Sequence, residues 1–505
     1  MKKNHLIFPL LAVLSVGVLA ACGAPSNEPS LPESDTGNSE TESLPESEPA
    51  KDPVTIQLWT TLSYQTQIEN MIESFKEVAP HVTVVNTKVS GSYDDLKTQV
   101  IQGFPTDNYP DLALAYPDHV ADYLDYNKAA NMESYMNDPK IGWTAESKDD
   151  VIENYLVEGQ SYSVEGTYSL PFCKSTEAMY YNASVLVGLN LSTIDPTING
   201  GDALTEAYLN NLTWEELFNK LCPAIIAYNK TLDAKSKILN EAEDGKRAVV
   251  GYDSDDNLFI TLAEQYGFDY TSIDSATGKG QANWNTPEMK NLMKTFNAAK
   301  NNHYLMTKGT IGGYVNYEFV ENSCLFSIGS TGGVKYQNSE TFDVKVAKIP
   351  HAGEGAAKTA VINQGPSLAF LKHKGSDNKT DKARLEASWL FYKHMAEEAN
   401  ATAWATATGY MPIRESSYES EAYLEYCSVD GKDERSVELL TARNATYTGT
   451  VLNDLFTSPV FKGSSECRTQ VGGLLTACLN LTPAELKAQI DSLFTTSINN
   501  ALLKM

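Results

Sequence analysis

VTIQLWTTLSYQTQIENMIESFKEVAPHVTVVNTKVSGSYDDLKTQVIQGFPTDNYPDLALA, residues 54–115, holds the pattern from which the fold follows. Its first six residues, Val54-Thr-Ile-Gln-Leu-Trp59, alternate as a strand does. Ile68, Met71, Ile72 and Phe75 then fall on one face of a helix, which Pro80 stops. His81 to Asn86 is a second strand, carrying Val82, Val84 and Val85. Ser92 to Ile101 is a second helix with Tyr93, Leu96 and Val100 aligned, and Asp111-Leu-Ala-Leu-Ala115 is a third strand. Strand and helix alternate, which predicts an α/β sheet. Ligands of such sheets gather at the carboxyl ends of the strands. Two helical stripes follow later: Leu385, Trp389, Tyr392 and Ala396, then Leu486, Ile490, Leu493 and Ile498. Both read as core-facing.

Upstream of residue 54 the chain reads as an address. Met1-Lys2-Lys3 is positive and Leu6 to Ala21 is almost wholly apolar. That run is short of the roughly 20 apolar residues of a membrane helix and fits a secretory signal peptide, residues 1–21. It ends in Leu19-Ala20-Ala21-Cys22-Gly23, which resembles a bacterial lipobox and implies lipid on Cys22. Residues 22–53 hold eight acids (Glu28, Glu33, Asp35, Glu40, Glu42, Glu46, Glu48 and Asp52) against Lys51. With so little apolar area, this stretch is expected to be a disordered tether. About 30 extended residues reach on the order of 100 Å, enough to hold a folded body off a membrane.

Bulk numbers exclude some partners. The chain has 505 residues, 42% of them hydrophobic, and a net charge of -26. Such acidity is wrong for nucleic acid, whose phosphates need a basic face. Of seven cysteines, the six beyond Cys22 (Cys173, Cys222, Cys324, Cys427, Cys467 and Cys478) form no C-x-x-C pair and are expected mostly as buried thiols.

Four blocks in order resemble one family. They are Val54–Trp59 with Phe75-Lys-Glu-Val-Ala-Pro80; Tyr168–Asn182 with Leu212-Thr-Trp-Glu-Glu-Leu217; Cys324–Gly333; and Gly365-Pro-Ser-Leu-Ala369 with the Trp389 helix and Thr408–Arg414. Behind a lipobox, this resembles the extracellular solute-binding proteins of carbohydrate ABC importers. The likeness is nearest to the glycerol-3-phosphate and glycerophosphodiester branch, and more distant to maltose-binding protein. The resemblance implies an α/β, two-lobe periplasmic-binding-protein fold whose cleft closes on solute. Lobe one is expected at 54–175 plus 362–411 and lobe two at 176–361 plus 412–505, with hinge crossings near Ser175, Asn363 and Tyr410. The implied partners are a small carbohydrate or polyol and the permease subunits of the importer. The protein is expected to be a monomer held to the membrane through its lipid, without cofactor.

The resemblance also implies a ligand set. Trp214 heads it, because an indole face suits the C–H face of a sugar; the plain alternative is a core tryptophan. Ser175 offers a hydroxyl at a crossing, and Tyr93, Tyr410 and Gly365 are expected around the cleft, the glycine allowing close backbone approach. Ser330, Thr331 and Gly332 offer hydroxyls and N–H groups in a turn able to nest an anion. Arg468 aligns with an arginine that grips phosphate in the glycerophosphate branch; otherwise it is a surface arginine paired with an acid. That branch has a glutamate where this chain reads Tyr116-Pro-Asp-His119, so Asp118 is the candidate there. It also has a Trp-rich stretch where this chain reads Gly251-Tyr-Asp-Ser-Asp-Asp-Asn257. Asp255 and Asp256 in that stretch suit sugar hydroxyls and repel phosphate. A neutral sugar or polyol therefore leads over a glycerophosphate.

Two other readings remain. Asp253, Asp255, Asn257 and Glu264 fall at positions 1, 3, 5 and 12 of a calcium loop, but Leu258 stands where glycine belongs. Enzymatic motifs such as H-E-x-x-H, G-x-S-x-G or a P-loop are absent from the sequence, and no acid pair singles itself out for glycoside hydrolysis. The chain is therefore expected to bind rather than catalyse, with a surface hydrolase as the second alternative and a structural lipoprotein as the third.

Overall fold

In the computed structural model, the described residues are 51–240, 247–353, 356–373, 379–428, 452 and 454–505. The signal peptide, Cys22 and nearly all of the tether lie outside them. Residues 52–505 form one unit built on two five-stranded sheets.

The quoted stretch builds the first sheet. Val54–Thr60 pairs in parallel with Val82–Lys88 on one side and Leu112–Ala115 on the other. Ser367–Phe370 and Ser169–Pro171 complete it, the former antiparallel to both neighbours. The helix Gln65–Val78 buries Ile68, Met71, Ile72 and Phe75, the stripe expected from its 3.6-residue period. Ser92 caps the helix Tyr93–Gly103 through a reciprocal box with Asp95. The helix Lys379–Met395 buries Trp389 and Tyr392 against this lobe.

The second sheet runs Val344–Ala347, Glu177–Asn182, Phe326–Ser330, Val250–Tyr252, Leu305–Thr307. Glu177–Asn182 is antiparallel to both of its neighbours. The other pairs are parallel. Helices Asp255–Gln265, Pro287–Asn301, Ser464–Asn480 and Pro483–Leu502 pack on this side.

Where the chain passes between the sheets, its crossings lie side by side. Ser175 and Gln364 exchange backbone hydrogen bonds of 2.9 and 3.0 Å, and Met411 N–H donates to the Lys174 carbonyl. Beneath them, Lys174 and Glu158 form a buried ion pair. Asn363 and Ser367 donate to the same carboxylate at 3.2 Å, and Lys174 also donates to the Gly365 carbonyl at 3.1 Å. A buried pair with its remaining valences satisfied holds strands in register. Gly365 has φ 91°, and a Cβ there would lie 2.0 Å from the Cys173 carbonyl oxygen.

One expected boundary shifts. The chain does not pass to the second lobe at 412. Arg414 donates to the Ser147 carbonyl and pairs with Asp150 at 3.0 Å, and helices Glu415–Glu419 and Glu421–Ser428 pack on Glu398–Thr408. Residues 412–428 therefore belong with the first sheet, because a buried guanidinium must stay with its carboxylate. The thiols of Cys173, Cys222, Cys324, Cys467 and Cys478 are buried and free.

Candidate functional site

Between the sheets lies a cavity of about 620 Å³ walled from both lobes and the hinge. Its first-lobe wall follows the strand Leu112–Ala115. Pro117 sets the first turn of the helix Pro117–Asp125, so Asp118 and His119 project at its amino end, where a carboxylate is favoured by the helix dipole. The second-lobe wall follows the strand Val250–Tyr252. Ser254 caps the helix Asp255–Gln265 through the Asn257 N–H, which brings Asp253, Asp255, Asp256 and Asn257 around the cavity. The helix Ser464–Asn480 adds Ser464, Arg468 and Gly472, and the hinge adds Asn363 and Gln364.

A polar network ties these pieces together. Arg468 Nε donates to Asp256 Oδ2 at 2.6 Å, and its Nη2 donates to Asn257 Oδ1. Asn257 Nδ2 in turn donates to Glu177 Oε1 and to Gln364 Oε1, each at 2.9 Å. The Tyr252 hydroxyl donates to the other oxygen of Glu177. Burial pushes the Glu177 carboxyl up to about 7, against the lowering effect of those two donors. Burial is the largest single effect on Asp256 and acts upward, but the Arg468 charge together with hydrogen bonds from Ser254 and backbone N–H groups holds the carboxyl below its ordinary value. Burial lifts Asp253 to about 6, although it accepts the Val315 N–H at 2.7 Å. Asp94, bonded to His119 Nε2 at 3.1 Å, is held down to about 2.

The expected ligand residues divide into three groups. Asp118, Asp255, Asp256 and Arg468 line the cavity. Asp255 is already engaged there, accepting from Thr307 Oγ1, Gly309 N–H and Thr476 Oγ1 at 2.7–2.8 Å. A second group meets at the interlobe contact beside the hinge and does not line the cavity. Tyr93 and Tyr410 hydroxyls lie 3.5 Å apart, and a Cβ on Gly332 would come within 2.8 Å of the Tyr410 ring. Ser330 Oγ donates to Ser175 Oγ at 3.4 Å and accepts the Gly332 N–H at 3.2 Å, while Thr331 Oγ1 accepts the Thr176 N–H. The anion nest expected at Ser330 to Gly332 is thus satisfied from within. Gly365 likewise gives close approach to the Cys173 carbonyl, not to a solute.

Trp214 stands alone and requires correction. It is 2% exposed and packs among Phe218, Tyr252 and Phe296, with Nε1–H donating to Gln265 Oε1 at 2.9 Å. Thr213 caps the helix start, which turns the indole inward to the core of the second lobe. The calcium alternative also fails among the described residues. Asp253, Asp255 and Asn257 turn to Val315, Thr307 and Glu177 respectively, and Glu264 sits on the last turn of the helix.

Sequence reasoning missed Glu177, Gln364, Tyr116 and Tyr270. Glu177 had a local signal, an acid opening a strand that runs on as Ala-Met-Tyr-Tyr before Asn182. Gln364, Tyr116 and Tyr270 had none, because their neighbours come from remote parts of the chain.

Solved structures share the arrangement. UgpB from Mycobacterium tuberculosis, in complex with glycerophosphocholine, is 15% identical with a TM-score of 0.62, over 90% of this chain and 100% of its own. The sugar-binding protein MalE from Xanthomonas citri is 13% identical with a TM-score of 0.61, over 88% of this chain and 98% of its own. An ABC substrate-binding protein from Listeria monocytogenes, in complex with cycloalternan, is 14% identical with a TM-score of 0.61, over 90% and 98%. These likenesses establish the two-lobe periplasmic-binding-protein fold. In sequence, no curated protein matches the chain. Residues 70–427, however, match the family model described as bacterial extracellular solute-binding protein. The chain belongs to that family of bacterial extracellular solute-binding proteins.

Proposed function

We propose that this protein captures a carbohydrate or polyol in the interlobe cavity and delivers it to the permease of an ABC importer, anchored to the membrane by lipid on Cys22. The observation that carries this reading is the cavity itself, at about 620 Å³ and lined by hinge and both lobes. Such a space suits a small polar solute, and closing two lobes around it turns binding into a shape change that a partner can read. Carboxylates and amides dominate the walls, and both hydrogen-bond sugar hydroxyls. No cofactor is needed for capture, a monomer suffices, and no turnover is expected.

A thermal-shift screen across sugars and polyols tests the proposal. A true ligand at 100 times its dissociation constant adds about 2.7 kcal/mol of stability. Hydrolysis of a bound oligosaccharide, or stabilisation by no carbohydrate at all, would count against it. Glycerophosphate remains the second reading because Arg468 lines the cavity. Against it, the guanidinium is already held by Asp256 and Asn257.

A further inference from the structure

One face of the first-lobe helix Pro117–Asp125 carries all its acids. Asp118, Asp122 and Asp125 stand at i, i+4 and i+7, so they line up along the helix. The row starts at the cavity, which Asp118 lines, and ends at Asp125, which does not line it. Cations of the second lobe face both ends. Lys462 Nζ pairs with Asp125 Oδ2 at 2.7 Å, and the Arg468 charge acts on Asp118. In the middle, Lys97 lies 3.5 Å from Asp122 and 3.6 Å from Asp94 within its own lobe. Its Nζ also crosses to the second lobe, donating to Ser465 Oγ at 3.2 Å.

Lys462 is fixed to the second lobe on either side. Phe461 lays its ring over Gly280, leaving no room for a Cβ there, and Gly463 abuts the Lys504 carbonyl. The Lys462 pair and the Lys97 bond therefore join separate lobes, away from the hinge crossings. Lys97, Asp125 and Lys462 do not line the cavity, so their contribution is the same for any solute held in it. The net charge of -26 gives such placed cations weight, because two acidic bodies brought together otherwise repel.

We propose that Lys462 with Asp125, and Lys97 with Ser465, form a latch that draws the lobes together before a solute makes any contact. This rests on the lobe closure invoked above and goes beyond it, since part of the closing tendency then belongs to the chain itself. An exposed ion pair adds little to folding stability. An equilibrium between open and closed arrangements is more sensitive, and a contact made only in the closed one shifts it severalfold.

The test reads the interlobe distance in the purified full chain without solute. Nitroxides are attached through ketone side chains introduced at the exposed positions Val85 and Val187, one on each lobe, so that no cysteine takes part. Double electron–electron resonance should show a closed population in the parent. Lys462→Glu sets a carboxylate against Asp125 and should lower the ratio of closed to open by about threefold or more. Both side chains are exposed, so the melting temperature should stay within about 2 °C. Adding Asp125→Lys to Lys462→Glu reverses the pair and should restore the ratio to within about twofold of the parent. A parent found only in the open arrangement overturns the latch and leaves solute capture standing. So do unchanged distances in Lys462→Glu, or a reversed pair that fails to restore closure. Stabilisation by no carbohydrate in the thermal-shift screen overturns the capture reading instead, and the latch, read without solute, stands.

Discussion

Arg468 Nε meets Asp256 Oδ2 at 2.6 Å on the cavity wall, and the same guanidinium reaches Asn257, whose amide bridges to Glu177 and Gln364. The arginine is therefore a structural member of the wall before it is a ligand group. Arg468→Ala leaves Asp256 without its counter-charge and should lower stability by about 1–2 kcal/mol. Carbohydrate capture should survive. Urea denaturation and titration on the same variant check both halves. Loss of binding confined to phosphate-bearing solutes would favour the glycerophosphate reading.

Glu177 makes stability fall as pH rises through the neutral range. Its folded value of about 7 lies above the ordinary 4.5, so the folded protein holds the proton more tightly than the unfolded chain. This contribution is fully present below about pH 4.5 and is lost by about pH 7. Asp253, lifted to about 6, acts in the same direction. Asp94 acts oppositely, but in a separate window between about 2 and 3.8. Denaturation midpoints measured across pH 5 to 7 in Glu177→Gln should show a flatter profile than the parent, by about 2 kcal/mol over the window.

Trp214 should matter to stability and little to affinity. Trp214→Ala empties a packed aromatic site and is expected to cost about 3–5 kcal/mol. Trp214→Phe keeps most of the volume but takes the indole N–H away from the buried Gln265 Oε1, at about 1–3 kcal/mol. Titration of the folded Trp214→Phe protein with any ligand found should give an affinity within about twofold of the parent.

Gly365 tests the hinge. At φ 91° and with the Cys173 carbonyl 2.0 Å from where a Cβ would sit, Gly365→Ala must push two crossings apart. Gly188 shares a positive φ of 86° but has open space around it. Gly188→Ala should therefore show only the backbone strain, about 1 kcal/mol, and Gly365→Ala distinctly more. Thermal melts of the two variants side by side measure the difference.

Much of the architecture was legible in the chain. The stripe Ile68, Met71, Ile72 and Phe75 and the alternation of Val54–Trp59 act locally, and both emerge as read. Asp118, Asp255, Asp256 and Arg468 came from motif resemblance, and all four reach the cavity. Trp214 illustrates the limit: the helix start marked by Thr213 is visible in sequence, but the side to which the indole turns depends on Phe296 and Gln265, far along the chain.

The sequence by itself determined the alternation of strand and helix, the acidic charge and the family blocks, because period, capping and turn chemistry act over a few residues. Tertiary structure alone decided which polar groups are spent on one another. Asp255 and Arg468 have their partners, whereas among the described residues no hydrogen bond or ion pair holds the Asp118 carboxylate on the cavity wall. Hydrogen bonds and ion pairs between residues hundreds of positions apart form only when two sheets are brought face to face, and a linear pattern holds no record of that distance.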